Sequence, residues 1–311
     1  MKSLPNVRPS DCALALAIPL TREQFLSDLA NPIKDYASHV KRRNYLDWRT
    51  DEDYWEIFRP IAGTISRISR DVEKLGVAIS NYTSLGEFGA MFDNFRVITL
   101  VTHSRFNSLK PSEFGDPRGF IELLRSPENL VQKSIGDILL PVLGQNGSES
   151  VSGASDDDIS EKIVRELNLV ISKAHTFYGT QEKNDSSDPQ ADSEMLGDRP
   201  LERLTRYAIE QAFPGHIQEG HSIEFSDQMS TVSDLVAMIP GDYSGLLNLI
   251  VCNSVIAGEL IKYYRPACFV ATNRYPAQPH VRMAYYKLAI YELARTPMPF
   301  IDAITRIHTR R

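Results

Sequence analysis

Residues 245–273 read GLLNLIVCNSVIAGELIKYYRPACFVATN. Leu246 to Val251 is a near-continuous apolar run, the pattern of a strand buried on both faces of a parallel sheet. Cys252 falls at its carboxyl end. Asn253 and Ser254 follow, and Ser254 is placed to cap a helix over Val255 to Tyr264. Pro266 then interrupts the chain, and Ala267 to Thr272 is a second apolar strand. The stretch reads as a βαβ unit with a thiol at the strand tip. In open α/β sheets, ligands bind outside the carboxyl ends of the strands.

A second strand of the same character lies upstream: Phe95 to Thr102 reads FRVITLVT, with His103 at its end. If the two strands are neighbours in one parallel sheet, the imidazole and the thiol reach the same rim. A thiol needs a base or a cationic neighbour to become a thiolate at neutral pH, and a strand-terminal histidine is suited to supply one. Either residue alone is more often structural, the cysteine as a small buried hydrophobe. The argument comes from the complementary pair.

The segments ITLVTHS (98–104) and LNLIVCNS (247–254) resemble the histidine and cysteine strands of the caspase-like cysteine peptidases, most closely those of the CHAT domain group. The stretch IEFSDQMSTVSDLVAMIP (223–240) resembles the short strand, turn and helix that precede the cysteine strand there. The tail YYKLAIYELARTPMPFIDAITRIH (285–308) resembles the closing helices of that group. The resemblance covers about 80–108 and 220–308. It implies an α/β fold with a mainly parallel, caspase-like sheet flanked by helices, an N-terminal helical layer and a long helical or disordered insertion. It implies a peptidase in which Cys252 is the nucleophile and His103 the acid–base partner, with the backbone N–H groups of Ser104 and Cys252 as oxyanion donors. Its bacterial members act in regulated self-destruction or phage defence, so the implied partners are a protein substrate such as a gasdermin, the chain itself, and an activating partner.

The match has departures. Ser104 stands where the group often has glycine. Asn248 and Ile250 occupy positions where some relatives carry an acid for a basic P1 side chain. Asp227 is either a turn residue or part of a specificity pocket. Arg274 either binds an acidic substrate side chain or forms a salt bridge. His103 and Cys252 lie 252 − 103 = 149 residues apart, more than is usual, which places an insertion over about 104–220. Loop-closure entropy grows slowly enough to permit it. The domain reading is residues 1–80 as an N-terminal strand and helices packed on the core, and 81–311 as the peptidase domain carrying that insertion. Two alternatives stay open: a catalytically inactive CHAT-like interaction or scaffold module, and a non-catalytic α/β adaptor.

At 311 residues, with 42% hydrophobic and 24% charged residues, the composition is that of a soluble globular protein. The formal charge of −6 does not suit a chain built to hold nucleic acid. No apolar run approaches 18 residues, so no membrane-spanning helix is expected. Three cysteines, Cys12, Cys252 and Cys268, give no disulfide framework; a reducing cytoplasm is expected, with Cys12 and Cys268 as core fillers. The remaining histidines are scattered. His216 and His221 lack a third ligand at metal-site spacing, so no metal is expected. No P-loop, GxGxxG or GxSxG motif is present, and no cofactor is expected.

Along the rest of the chain, a first strand is expected over about 12–18 and a helix from Thr21. A second helix is expected over about 33–43, ending in Lys41, Arg42 and Arg43. Asp51 opens a further helix, with a kink at Pro60 and a stop at Gly76. Val77 to Ser80 is a short strand and Thr83 starts the next helix. Within the insertion, helices are expected over about 119–125, from Pro127, over 159–173 and over 200–212. The polar stretches 144–158 and 178–198 read as loops.

Overall fold

The computed structural model describes residues 4–32, 34, 50–106, 111, 114–143, 155–182, 200–214, 216–217, 221–251, 254–272 and 279–309. The chain divides into two compact units. One comprises residues 1–105 and 222–311, the other residues 106–221.

The first unit begins with β1 (Cys12–Leu16), α1 (Arg22–Ala30), α2 (Asp51–Glu73), β2 (Ala78–Asn81), α3 (Leu85–Ala90), β3 (Val97–Val101) and β4 (Ser104–Phe106). The second unit is helical: α4 (Pro117–Arg125), α5 (Leu130–Leu143), α6 (Asp156–Glu182) and α7 (Pro200–Ala212). The chain returns to the first unit through β5 (His221–Glu224), β6 (Met229–Thr231), α8 (Val232–Met238), β7 (Leu246–Ile250), α9 (Val255–Tyr264), β8 (Phe269–Ala271), α10 (Pro279–Arg295) and α11 (Phe300–Thr309).

The main sheet has five strands in the order β2-β1-β3-β7-β8, and every pairing is parallel. Parallel strands need both faces covered, which explains their unbroken apolar sequences. Cys12, Leu14, Leu16, Val97, Val101, Leu246 and Ile250 share one core with Ile65, Ile68 and Val72 of α2, Met283 and Ile290 of α10, and Phe300 of α11. Ala13, Ala15, Ile98, Leu100, Leu247 and Leu249, alternating with these, are also fully buried. Close entry of the strands depends on Gly245. A Cβ there would meet the main-chain oxygen of Arg96 at 2.4 Å, while the amide of Leu246 donates to that same oxygen at 2.8 Å.

Several elements start at reciprocal caps. Thr21 pairs with Gln24, Thr50 with Asp53, Ser84 with Glu87 and Thr231 with Asp234. The expected start of α3 at Thr83 is thus corrected by one residue. Thr83 turns its hydroxyl back to the carbonyl of Ser80 at 2.9 Å, and Ser84 does the capping. α2 runs through Pro60 as one helix. Glu56 and Pro60 both lie on its exposed side, where solvent serves the carbonyl that loses its amide partner. Gly76, at φ +100°, ends the segment after α2 in the left-handed conformation glycine favours. Of the expected helix over 33–43, all but Lys34 lies outside the described residues.

In the second unit, Phe114, Phe120 and Phe213 form an aromatic centre, with Phe120 and Phe213 ring centroids 4.4 Å apart. α6 is longer than the sequence suggested and takes in parts of both polar stretches, residues 156–158 and 178–182. At its start, Ser155 and Asp158 bond reciprocally, and three aspartates in the first turn suit the positive end of the helix dipole. The remainders, 144–154 and 183–198, lie outside the described residues. Among the described residues, no helix is long and apolar enough to cross a membrane.

Candidate active site at the sheet rim

β3 and β7 are direct neighbours, paired from Val97↔Leu246 through Val101↔Ile250. Their contact continues one step further, the amide of Thr102 donating to the carbonyl of Ile250 at 3.4 Å. His103 stands two residues past Val101 and is 9% exposed. Cys252 stands two residues past Ile250 in the sequence. Cys252, like Arg274, lies outside the described residues.

Main-chain bonds fix the segment around His103. Its carbonyl accepts the amide of Glu224 at 3.0 Å, and the hydroxyl of Thr102 donates to the carbonyl of Glu224. β4, β5 and β6 form a separate three-stranded sheet, so β5 lies alongside the chain as it leaves β3. Ser104 opens β4, is buried, and has no positive φ. An extended serine there carries none of the backbone strain a left-handed position would impose.

Three other sequence candidates have defined places. Asp227 is exposed, and its carboxylate accepts the amide of Leu85 at 3.1 Å, tying the β5–β6 turn to the first turn of α3. Asn248 lies within the sheet, its amide nitrogen donating to the hydroxyl of Thr99 at 3.3 Å. Ser254 stands at the cap position of α9 without capping it. Its hydroxyl donates instead to the carbonyl of Leu249 at 3.4 Å.

A polar cluster that the sequence reading did not single out lies in the same unit. Asp28 and Lys34 are both 1% exposed and form an ion pair at 2.5 Å. The Tyr82 hydroxyl donates to the same carboxylate oxygen at 2.6 Å, and the Lys34 ammonium lies 5.1 Å from the centre of the Tyr82 ring. Tyr82 follows β2 and has φ +54°, the one positive φ among described non-glycine residues. Burial raises its phenol above the ordinary range, and the carboxylates of Asp28 and Glu224 raise it further. Glu224 is fully buried. The cluster thus joins residues that follow β1 and β2 to the strand that holds His103. Asp28 had one legible signal: it falls between Phe25 and Leu29 on the apolar face of α1, where a carboxylate needs a buried partner.

The two described thiols are poor nucleophiles. Burial pushes Cys12 and Cys268 each up to about 12. His216 sets Nδ1 3.1 Å from the carbonyl of Asp116, and among the described residues no group of three or more His, Cys, Asp or Glu side chains is placed to hold a metal. No model of a known protein family matches this chain, and neither the curated proteins nor the solved structures yield a match.

Proposed function

We propose that this chain is a cysteine endopeptidase of caspase-like design, working through His103 and Cys252. The observation that carries the reading is the register of β3 and β7, whose paired ends precede the two residues by the same two-residue step. Neighbouring strands lie about 4.8 Å apart, a separation from which an imidazole can reach a thiol.

In this mechanism His103 takes the proton of Cys252, and the thiolate attacks the scissile carbonyl. The backbone N–H groups of Cys252 and Ser104 hold the oxyanion, each worth about 3–4 kcal/mol in the transition state. Protonated His103 then gives its proton to the leaving amine as the C–N bond breaks, leaving a thioester. Water attacks the thioester while His103 takes a proton from it, and thiolate and carboxylic acid separate. The substrate is a partner protein, with self-cleavage within reach of the same chemistry. A reducing cytoplasm preserves the thiol, and regulated cell death or phage defence in a bacterium is the setting the motif resemblance favours.

Cleavage products from cells expressing the wild type or Cys252→Ala, compared across the proteome, test the proposal. Cys252→Ala and His103→Ala should each abolish cleavage by at least ~1,000-fold while keeping the wild-type circular dichroism and melting temperature. A His103→Ala protein that folds and still cleaves would refute it, and wild type without any cleaved protein would favour the inactive scaffold.

A further inference from the structure

Tyr82 holds a left-handed backbone, φ +54°, which only glycine adopts without steric cost. Such a conformation persists where the surroundings impose it, and it collects at functional sites. Two groups hold it here. The Tyr82 hydroxyl donates to the Asp28 carboxylate at 2.6 Å, and the Lys34 ammonium, paired with that carboxylate, stands against the ring. Asp28 and Lys34 are both buried, so the anchor has little room to move. Stability alone would favour glycine at this φ; a tyrosine there gives up backbone ease for a fixed attachment.

The attachment fixes the residues that follow. The Thr83 amide donates to the carbonyl of Leu16, the last residue of β1, at 2.9 Å, and the Thr83 carbonyl accepts the amide of Ser226 at 3.0 Å. The amide of Leu85 donates to the Asp227 carboxylate, and Phe88 packs on Phe225 with ring centroids 5.6 Å apart. Segment 224–227 is therefore held by segment 82–88. At its near end Glu224 holds the dyad strand through its own main chain: its amide donates to the carbonyl of His103, and its carbonyl accepts the hydroxyl of Thr102. We propose that Tyr82 is a positioning residue for the dyad. Anchored by Asp28, it sets the place of segment 224–227, and through that segment the approach of His103 to Cys252. The inference rests on the peptidase reading of these two residues and adds a residue that touches neither.

Alkylation of Cys252 by iodoacetamide in the native full chain, followed by peptide mapping from about pH 5.5 to 9, tests this. Wild type should keep reacting below pH 7, and His103→Ala should follow a free thiol, with a midpoint near ~8.5. Tyr82→Phe, which removes only the hydroxyl, should move the wild-type midpoint at least ~0.5 pH unit towards that of His103→Ala. Tyr82→Ala should move it at least ~1 unit, about a tenfold loss of thiolate at pH 6. Tyr82→Gly, which accepts the left-handed backbone freely, should recover about half of the alanine loss or more. Each variant is read where its near-ultraviolet circular dichroism matches wild type; if the alanine protein does not fold, Tyr82→Phe decides. A residue serving stability alone would leave the variant profiles on that of wild type, since only folded molecules are read. That result would overturn the proposal and leave the dyad standing, and a glycine variant no better than alanine would overturn it as well. A wild-type profile that already matches His103→Ala would refute the dyad, and the proposal with it.

Discussion

Val101 and Ile250 are register partners on adjacent parallel strands, and each precedes one member of the proposed dyad by two residues. Neighbouring strands of this kind hold Cα atoms at a spacing a disulfide can bridge. A His103→Cys variant treated with diamide should therefore form a bond between positions 103 and 252, found by peptide mapping of the non-reduced protein. Cys12 and Cys268, both buried, should stay out of it. Failure to form this bond, with both thiols shown to be reactive, would remove the geometric basis of the dyad without any assay of cleavage.

The Asp28–Lys34 pair should behave as a buried charge pair. Asp28→Ala leaves an ammonium without its counter-ion and should cost about 3–5 kcal/mol. The double variant Asp28→Leu/Lys34→Met removes both charges and should recover most of that loss in urea unfolding. Tyr82→Phe, which deletes one hydroxyl donor to Asp28, should cost about 1–2 kcal/mol. Strictly additive losses would mean that the two residues do not interact.

Thiol labelling should separate the cysteines. With Cys12 and Cys268 each pushed up to about 12, about one molecule in ten thousand carries either thiolate at pH 8. In the native protein iodoacetamide should leave both unmodified over hours, and denaturant should expose both. The sign for stability follows. Their folded values lie above the ordinary thiol range, so their contribution is complete below about pH 9 and is lost as pH rises towards 12. Rapid native labelling of Cys12 or Cys268 at pH 8 would contradict this.

Gly245→Ala should destabilise the protein by about 1–3 kcal/mol, because the added methyl meets the main-chain oxygen of Arg96 and the hydroxyl of the buried Tyr243, each at 2.4 Å. Its effect should reach the site, since the same segment sets where β7 begins beside β3 and β8. A melting temperature within one degree of wild type would show that the strands can part without loss.

The sheet was legible because parallel strands buried on two faces write themselves as apolar runs: β1, β3 and β7 all lie within the stretches read that way. The starts of α1, α2 and α7 were legible to within a residue, whereas α4 and α6 begin two and three residues before the expected positions and α5 three residues after; Thr83 misled because two hydroxyl residues stand side by side and only Ser84 has a glutamate three positions on. The ends of α6 were hidden by their polarity, although Ser155 and Asp158 spell a cap. Ser254 shows the limit of local rules: its hydroxyl bonds back to Leu249 at the end of β7. The polar cluster was largely illegible for a similar reason. Tyr82 and Asp28 are 54 residues apart, and nothing in either neighbourhood announces the other.

Residues 106–221 depart through β4 and come back through β5, two strands that lie side by side in one small sheet. For the folding chain this shortens the journey. Once those residues have collapsed on their own aromatic centre, the ends they present are already close, and the long tract between His103 and Cys252 acts as a brief tether. The rate at which β3 finds β7 is then governed by how fast the inserted helices assemble, so that mutations around Phe120 and Phe213 should slow the pairing of strands they do not touch.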